Sequence, residues 1–277
     1  MPDLEGDLVF PDRVEYGQIG WAGELLEAPQ LTRRESPPGD AIRWDGFIAP
    51  GFFDIHVHGG DGADFMDGTV EAFQAVCKAH ARHGTTRLLA TSTVAPAEQI
   101  DQFLKICDAL LEQPTGGARV AGAHFYGPYF APAAKGCHPG DGLGDPENLK
   151  PERFLRHRCV RTATVAPELA GTKEFLLECQ SRGIVGCLGH SHATFSQVKE
   201  AVGQGARHVD HLFCAMSDRA RLRQSQAYPM RGGLFEATLA LDDLTTEVIA
   251  DDRHLADELL YLAYRVKGPD RLALVTD

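Results

Sequence analysis

The segment Pro50-Gly-Phe-Phe-Asp-Ile-His-Val-His-Gly59 lies where the character of the chain changes. Residues 1–46 before it contain short strand-like pieces and the turn-rich Glu35-Ser-Pro-Pro-Gly-Asp40, with no helical period. After it, apolar runs alternate with amphipathic helix patterns, which is typical of βα units around a parallel sheet. We therefore expect part of a small β-sandwich domain over residues 1–46 and an α/β domain over residues 47–277.

Eight apolar runs in this second part have the length and composition of buried strands. They are Ile48–His56, Thr86–Thr91, Val120–His124, Val160–Val165, Ile184–Gly189, His208–Leu212, Glu247–Ala250 and Leu272–Thr276. Eight strands with helices between them predict an α/β fold of the TIM-like (β/α)₈ barrel type, and a doubly wound sheet fits the pattern less well. The N-terminal residues would then form a small, incomplete β appendage.

Three helix patterns lie between these runs. Apolar residues from Ile100 to Leu110 share one face, and Thr194 with Gln197 forms a capping box that opens another helix. A third pattern, Leu255 to Val266, stops at Lys267-Gly-Pro269.

Polar residues cluster where the predicted strands end, and this placement favours the barrel. They are His56, His58, His124, Glu168, His190, His211, Asp251 and Asp277. The strand ends of a barrel converge on one face, which is where barrel enzymes carry their catalytic groups.

The composition narrows the partners and the compartment. The net charge of −12 and the lack of a Lys/Arg run argue against nucleic acid. The acidic N-terminus lacks the features of a signal peptide, and no stretch is apolar over a membrane-spanning length, so we expect no membrane partner and a cytoplasmic location. Seven cysteines without a CxxC motif predict reduced thiols, most of them in the core.

His56-Val-His58 is the first candidate metal-binding motif. Side chains at positions i and i+2 of a strand point to the same side, so both imidazoles can reach one metal ion. The triplet alone is weak support, because two solvated histidines in a loop would give the same pattern.

Its context is more specific. Gly189-His-Ser191, Asp210-His-Leu-Phe213 and Leu274-Val-Thr-Asp277 follow at later strand ends, and His124-Phe-Tyr-Gly-Pro128, Lys135-Gly-Cys-His138 and Ile249-Ala-Asp-Asp-Arg-His254 lie between them. From about Phe47 onward, this ordered set resembles the amidohydrolase superfamily and, within it, the N-acetylglucosamine-6-phosphate deacetylase family. The resemblance implies metal-dependent hydrolysis of the acetamide of an N-acetyl amino sugar, giving the amine and acetate.

The resemblance also implies roles for individual residues. His56 and His58 would hold one divalent metal with Asp277, and His190 and His211 would hold another. Asp277 would also move the proton from the attacking water to the leaving amine, since an amide needs both an activated nucleophile and a protonated leaving group. His254 would bind the substrate near its carbonyl, and His138 with the Cys214-Ala215 backbone would contact a sugar phosphate.

Tyr126 departs from the family pattern, because the resemblance places a glutamate ligand at this position. A neutral phenol is a poor substitute for a carboxylate on a divalent ion. We therefore expect one metal ion, Zn²⁺ above others, held by His56, His58, His190 and Asp277, with His211 orienting water. A Tyr126-ligated or residual two-metal site and a non-catalytic homologue are the alternatives.

Further departures bear on the substrate. Cys214 replaces an asparagine of the family, and Asp252 and Arg253 add charge near His254. Arg221 and Arg223 belong to a basic cluster whose guanidinium forks suit phosphate, although a solvated loop explains them equally well. An amidohydrolase acting on another amide, cyclic imide or amino-heterocycle therefore remains an alternative.

The family resemblance implies a chain that continues past Asp277, so we expect a barrel truncated after its eighth strand. A homodimer is left open by the resemblance, and the small-molecule amino sugar is the expected partner.

Overall fold

The computed structural model describes residues 3–22, 25–32, 41–224 and 229–277. The chain divides into two compact units, Met1–Phe52 and Phe53–Asp277. The turn-rich segment at residues 35–40 lies outside the described residues.

The first unit is built from short strands. In chain order they are β1 (Leu4–Val9), β2 (Val14–Ile19), β3 (Trp21–Ala22), β4 (Leu25–Leu26), β5 (Gln30–Leu31) and β6 (Ile42–Ile48). A four-stranded sheet has the order β5-β2-β1-β6, in which β1 is antiparallel to β2 and parallel to β6. β3 and β4 form a separate antiparallel pair.

The second unit contains one eight-stranded sheet whose strands follow each other in chain order. They are β7 (Phe52–Val57), β10 (Thr85–Thr91), β11 (Arg119–Phe125), β12 (Val160–Val165), β13 (Val185–Leu188), β14 (Ala206–Val209), β15 (Thr245–Ile249) and β16 (Leu272–Val275). From β10 to β16 each strand pairs in parallel with the next. The predicted α/β class with eight sheet strands is therefore confirmed.

Two of the predicted strand boundaries differ from the structure by three residues or more. Ile48 ends β6 of the first unit, because the Pro50-Gly51 pair interrupts the run before β7 begins. The run at His208–Leu212 ends as a strand at Val209, because His211 turns the backbone to a φ of 21°.

The last strand meets the first at their carboxyl ends. The backbone N–H of Asp277 donates to the carbonyl oxygen of His56 at 2.9 Å. The N–H of Thr276 donates to the Asp54 carboxylate at 3.2 Å. These bonds join the residues that follow β16 to the carboxyl end of β7 and bring Asp277 to the candidate site.

Helices occupy most connections of the sheet. They are α1 (Val70–Ala81), α2 (Ala97–Leu110), α3 (Glu152–Leu155), α4 (Thr172–Ser181), α5 (Phe195–Gly203), α6 (Arg219–Leu222), α7 (Leu234–Ala240) and α8 (Asp257–Lys267). Two 3₁₀ turns (Phe65–Asp67 and Pro132–Ala134) and a hairpin of β8 (Gly59–Gly60) and β9 (Ala63–Asp64) complete the described elements.

The three predicted helix patterns are confirmed. The shared face of α2 is buried from Ile100 to Leu110. Thr194 caps α5 and forms the expected reciprocal hydrogen bonds with Gln197. α8 ends at Gly268, whose φ of 68° suits glycine.

One continuous apolar cluster lies between the strands and these helices. Its largest members are fully buried: Tyr129 and the phenylalanines at positions 65, 73, 103, 125, 154 and 175. Each such side chain stabilises the fold by about 1.5–3 kcal/mol. All seven cysteines are free thiols, and five of them are buried. Within the described ranges no helix is both long and apolar enough to cross a membrane.

Candidate metal centre

Three side chains at the carboxyl ends of β7 and β16 bring their ligand atoms together. His56 Nε2 lies 3.3 Å from His58 Nε2 and 3.4 Å from Asp277 Oδ1. His58 Nε2 lies 3.3 Å from the same oxygen. Ligand atoms about 2.0–2.1 Å from a tetrahedral zinc ion stand about 3.3 Å apart. Two imidazole nitrogens and a carboxylate oxygen in this triangle fit a divalent ion.

A buried carboxylate orients the first of these ligands. Glu247 on β15 is 1% exposed, and its Oε1 lies 2.5 Å from Nδ1 of His56. Its Oε2 lies 3.1 Å from Nε2 of His208. With Nδ1–H directed at Glu247, His56 presents Nε2 to the triangle, which is the arrangement that metal-binding histidines usually have.

The pKa values of this group follow from burial and from the paired charges. Burial alone would lower the pKa of His56, but the Glu247 carboxylate outweighs it and raises this pKa to about 9. Burial would raise the pKa of Asp277, yet the hydrogen bond from His58 and the nearby imidazoles hold it well below its usual range. Asp277 is therefore an anion at neutral pH.

Tyr126 lies between the other two predicted ligands. Its hydroxyl is hydrogen-bonded to Nε2 of His190 and lies 2.7 Å from Nε2 of His211. The two imidazole nitrogens are 3.2 Å apart. Burial, followed by the charges of nearby carboxylates, raises the pKa of Tyr126 well above its usual value, so the phenol is neutral. Burial lowers the pKa of His190 to about 2.

The remaining predicted site residues divide into two sets. His138 is partly buried, with its ring centroid 4.9 Å from that of His190, and its Nδ1 lies 2.7 Å from Thr93 Oγ1. Burial lowers the pKa of His138 to about 4. The side chains of His254, Arg221 and Arg223 are exposed.

Cys214 and Ala215 lie in the loop after β14. The Cys214 N–H donates to the His211 carbonyl at 3.0 Å, and the Ala215 carbonyl accepts from the Ser191 N–H at 3.0 Å. Both groups therefore brace the loop. Ala215 has a positive φ of 49°, as do His190 (46°) and Asp277 (37°). Non-glycine residues held in this region concentrate at functional sites.

Sequence reasoning named His124 but missed its buried polar neighbours, Thr164 and Asp210. Thr164 Oγ1 donates to Asp210 Oδ2 at 2.7 Å and lies 2.8 Å from His124 Nε2. Burial raises the pKa of Asp210 to about 7. Glu247 was also missed as a site residue, although a glutamate within the apolar strand Thr245–Ile249 is itself a signal, since a buried carboxylate needs a partner.

Comparison with known proteins shows the class of this protein. Residues 47–268 match the model of the amidohydrolase family, and the chain belongs to that family.

Its relatives include sugar-phosphate deacetylases. An N-acetylglucosamine-6-phosphate deacetylase of Lysinibacillus sphaericus is 30% identical over 234 residues, which cover 83% of this chain and 58% of that protein. An N-acetylgalactosamine-6-phosphate deacetylase of Escherichia coli O157:H7 is 28% identical over 232 residues, 83% of this chain and 59% of that protein. The chain thus spans less than two thirds of their length.

A solved structure shows the same fold. The crystal structure of N-acetyl-D-glucosamine-6-phosphate deacetylase from Mycobacterium smegmatis matches with a TM-score of 0.88 at 26% identity. The match covers 99% of this chain and 70% of that one.

Proposed function

We propose that this chain is the metal-binding part of an amidohydrolase that releases acetate from an N-acetyl amino-sugar 6-phosphate. The triangle of His56, His58 and Asp277, with Glu247 behind His56, carries the proposal. In the proposed fold the eight-stranded sheet closes into a (β/α)₈ barrel, which the bond between Asp277 N–H and His56 carbonyl supports.

A single divalent ion, with zinc as the first candidate, would be held by the two imidazole Nε2 atoms and the Asp277 carboxylate. Bound there, it would supply the Lewis acidity that an unreactive amide requires. Glu247 keeps His56 in the tautomer that leaves Nε2 available. This ligand set lacks His190, whose Nε2 is hydrogen-bonded to Tyr126.

Asp277 would move the proton during the reaction. Its low pKa makes it a carboxylate at neutral pH, so it can accept a proton from the attacking water. The same group then returns the proton to the nitrogen of the leaving amine, which cannot depart as an anion. His58, at 3.3 Å from Oδ1, holds the carboxylate in place.

The substrate class rests on the relatives and on residues around the triangle. Two relatives are named for 6-phosphates of different N-acetyl hexosamines, so we propose this class and not one sugar. His138 lies beside Tyr126 and His190 and would contact the sugar phosphate. The substrate would also be contacted by residues of the connection after β14, namely the Cys214-Ala215 segment and the exposed Arg221 and Arg223. His254, in the connection after β15, would contact it as well.

An acetate-release assay tests the proposal. The full chain, loaded with zinc, is given N-acetylglucosamine 6-phosphate, N-acetylgalactosamine 6-phosphate and unphosphorylated N-acetylglucosamine. We expect acetate from at least one phosphorylated sugar and none from an Asp277→Asn variant. If no sugar in the panel yields acetate above the variant, the proposed deacetylation is wrong.

A second candidate is hydrolysis of an amide that carries no phosphate. The exposure of Arg221 and Arg223 to solvent favours it. Equal rates on phosphorylated and unphosphorylated sugars would support this candidate over the first.

A further inference from the structure

The hydroxyl of Tyr126 lies between His190 and His211, the two residues that the family resemblance assigns to a second metal ion. Its oxygen contacts Nε2 of both imidazoles, the atoms that would have to face such an ion. The protons on these three groups determine whether they form a ligand set or a closed hydrogen-bond chain.

His190 accepts the tyrosine proton. Its Nδ1 lies 2.9 Å from the carbonyl oxygen of Ala134, which can only accept, so Nδ1 carries the proton of the neutral ring. Nε2 therefore has a lone pair directed at the Tyr126 hydroxyl, and the hydroxyl donates to it.

His211 donates to the same hydroxyl. Its Nδ1 is buried and has no hydrogen-bond partner among the described residues. A proton on that atom would leave a buried N–H without an acceptor, whereas a proton on Nε2 is directed at the Tyr126 oxygen at 2.7 Å. The neutral ring is thus protonated on Nε2, which leaves no lone pair there for a metal.

His56 and His211 differ in what lies behind their Nδ1 atoms. His56 has the Glu247 carboxylate behind its Nδ1, so the proton of the neutral ring stays on Nδ1 and Nε2 is the atom that can bind a metal once its own proton is displaced. His211 has no acceptor there within the described chain, and its main chain contacts Glu247 instead, through an N–H at 3.2 Å from Oε1.

The tyrosine ring is also fixed in place. Tyr126 is 2% exposed and packs edge-on against Phe130, with ring centroids 4.7 Å apart, and against His56 at the same distance. Close packing of this kind leaves the hydroxyl no room to move away from the two imidazoles.

We propose that Tyr126 replaces a second metal ion: the chain His211 N–H to Tyr126 O–H to His190 closes that position, and residue 126 limits the protein to one metal ion, at His56, His58 and Asp277. The inference rests on the proposed function only for the use of that first position.

Metal content of the full chain and two variants tests the proposal. Tyr126→Glu supplies an anionic ligand, and Tyr126→Gln is the matched control with nearly the same shape and no charge. After zinc loading and dialysis, plasma mass spectrometry is expected to give one more equivalent of zinc for Tyr126→Glu than for wild type, and no gain for Tyr126→Gln. Equal zinc content in all three folded proteins, or two equivalents in wild type, would overturn the proposal.

The zinc content of the variants can be measured whether or not the protein is catalytically active. A gain of one equivalent in Tyr126→Glu supports the inference whether or not acetate is released, and even if wild type binds no zinc, a result that would count against the proposed function alone.

A measurement on wild type covers the case in which Tyr126→Glu does not fold. Long-range proton–nitrogen correlation spectra report which imidazole nitrogen carries the proton. We expect His211 protonated on Nε2 and His190 on Nδ1, both unchanged when zinc is added. Loss of the His211 Nε2 proton on zinc addition would show that a metal enters this position, and the proposal would be wrong.

Discussion

Replacement of Glu247 by glutamine is expected to weaken zinc binding without unfolding the chain. The carboxylate is 1% exposed and contacts His56 Nδ1 at 2.5 Å, His208 Nε2 at 3.1 Å and the His211 N–H at 3.2 Å. Glutamine keeps the shape and one acceptor oxygen, but it removes the charge that makes His56 a strong ligand.

The expected loss of zinc affinity follows from the contact between Glu247 and His56. Removing the partner behind a metal-binding imidazole lowers affinity about 10–100-fold. This range corresponds to about 1.4–2.8 kcal/mol. Because the pair is shielded from solvent, we expect Glu247→Gln to lie toward the larger loss.

Competition with a zinc chelator measures the change. His208→Gln is the matched control, since it removes the contact between Glu247 and His208 and keeps the carboxylate beside His56. The zinc affinity of this variant should change far less. Circular dichroism checks that both variants are folded. If Glu247→Gln binds zinc as tightly as wild type, the carboxylate does not support the ligand and the reasoning is refuted.

Three further perturbations test the site and the fold. Chelation of the metal should lower the thermal unfolding midpoint, because a ligand bound only to the native chain stabilises it; a calorimetric midpoint that does not change on chelation and zinc addition would contradict metal binding. Lys267→Met should lower the free energy of unfolding by about 1–3 kcal/mol, because the Lys267 ammonium donates to the carbonyl oxygens of Thr238 and Leu241 at 2.8 and 3.0 Å. The exposed Lys173→Met is the control in a urea titration, and its unfolding midpoint should stay close to that of wild type. Equal midpoints for the two variants would contradict a stabilising role of the Lys267 hydrogen bonds. Asp108→Asn should cost about 1 kcal/mol at neutral pH, because burial raises the pKa of Asp108 but the His157 and Cys159 donors outweigh it and lower the pKa overall. A carboxyl with a lowered pKa stabilises the fold above its unfolded pKa and loses that contribution as the pH falls through its folded pKa. The difference in stability between Asp108→Asn and wild type should therefore vanish in acid. A difference that persists in acid would show that the negative charge of Asp108 is not its cause.

Much of the fold could be predicted from local pattern. The apolar runs marked all eight strands, because strands covered on both faces are apolar along their whole length. The predicted strand boundaries were less accurate where a buried apolar residue lies outside the strand. Leu212 is fully buried but lies beyond β14, since the backbone has already turned at His211. An apolar residue at a strand end can belong to the core without belonging to the ladder.

Sequence motifs predicted the three ligands His56, His58 and Asp277, but they did not predict the contacts made by Glu247 and Tyr126. Glu247 contacts His56 across 191 positions of sequence, and nothing local to either residue indicates the pair. Tyr126 was recognised as the loss of a carboxylate. That its hydroxyl would contact His190 and His211 depends on the register of β11, β13 and β14, and this register is set by packing of the whole sheet.

The contact between β7 and β16 has a consequence for the order of assembly. Thr276 and Asp54 are 222 positions apart, and an ion shared by His56, His58 and Asp277 would act as a clasp across that span. Closing so long a loop costs the unfolded chain on the order of 5 kcal/mol of conformational entropy. One of the three ligands, Asp277, is not in place until β16 has docked, so zinc uptake would be a late event in folding and would report that all eight strands are paired.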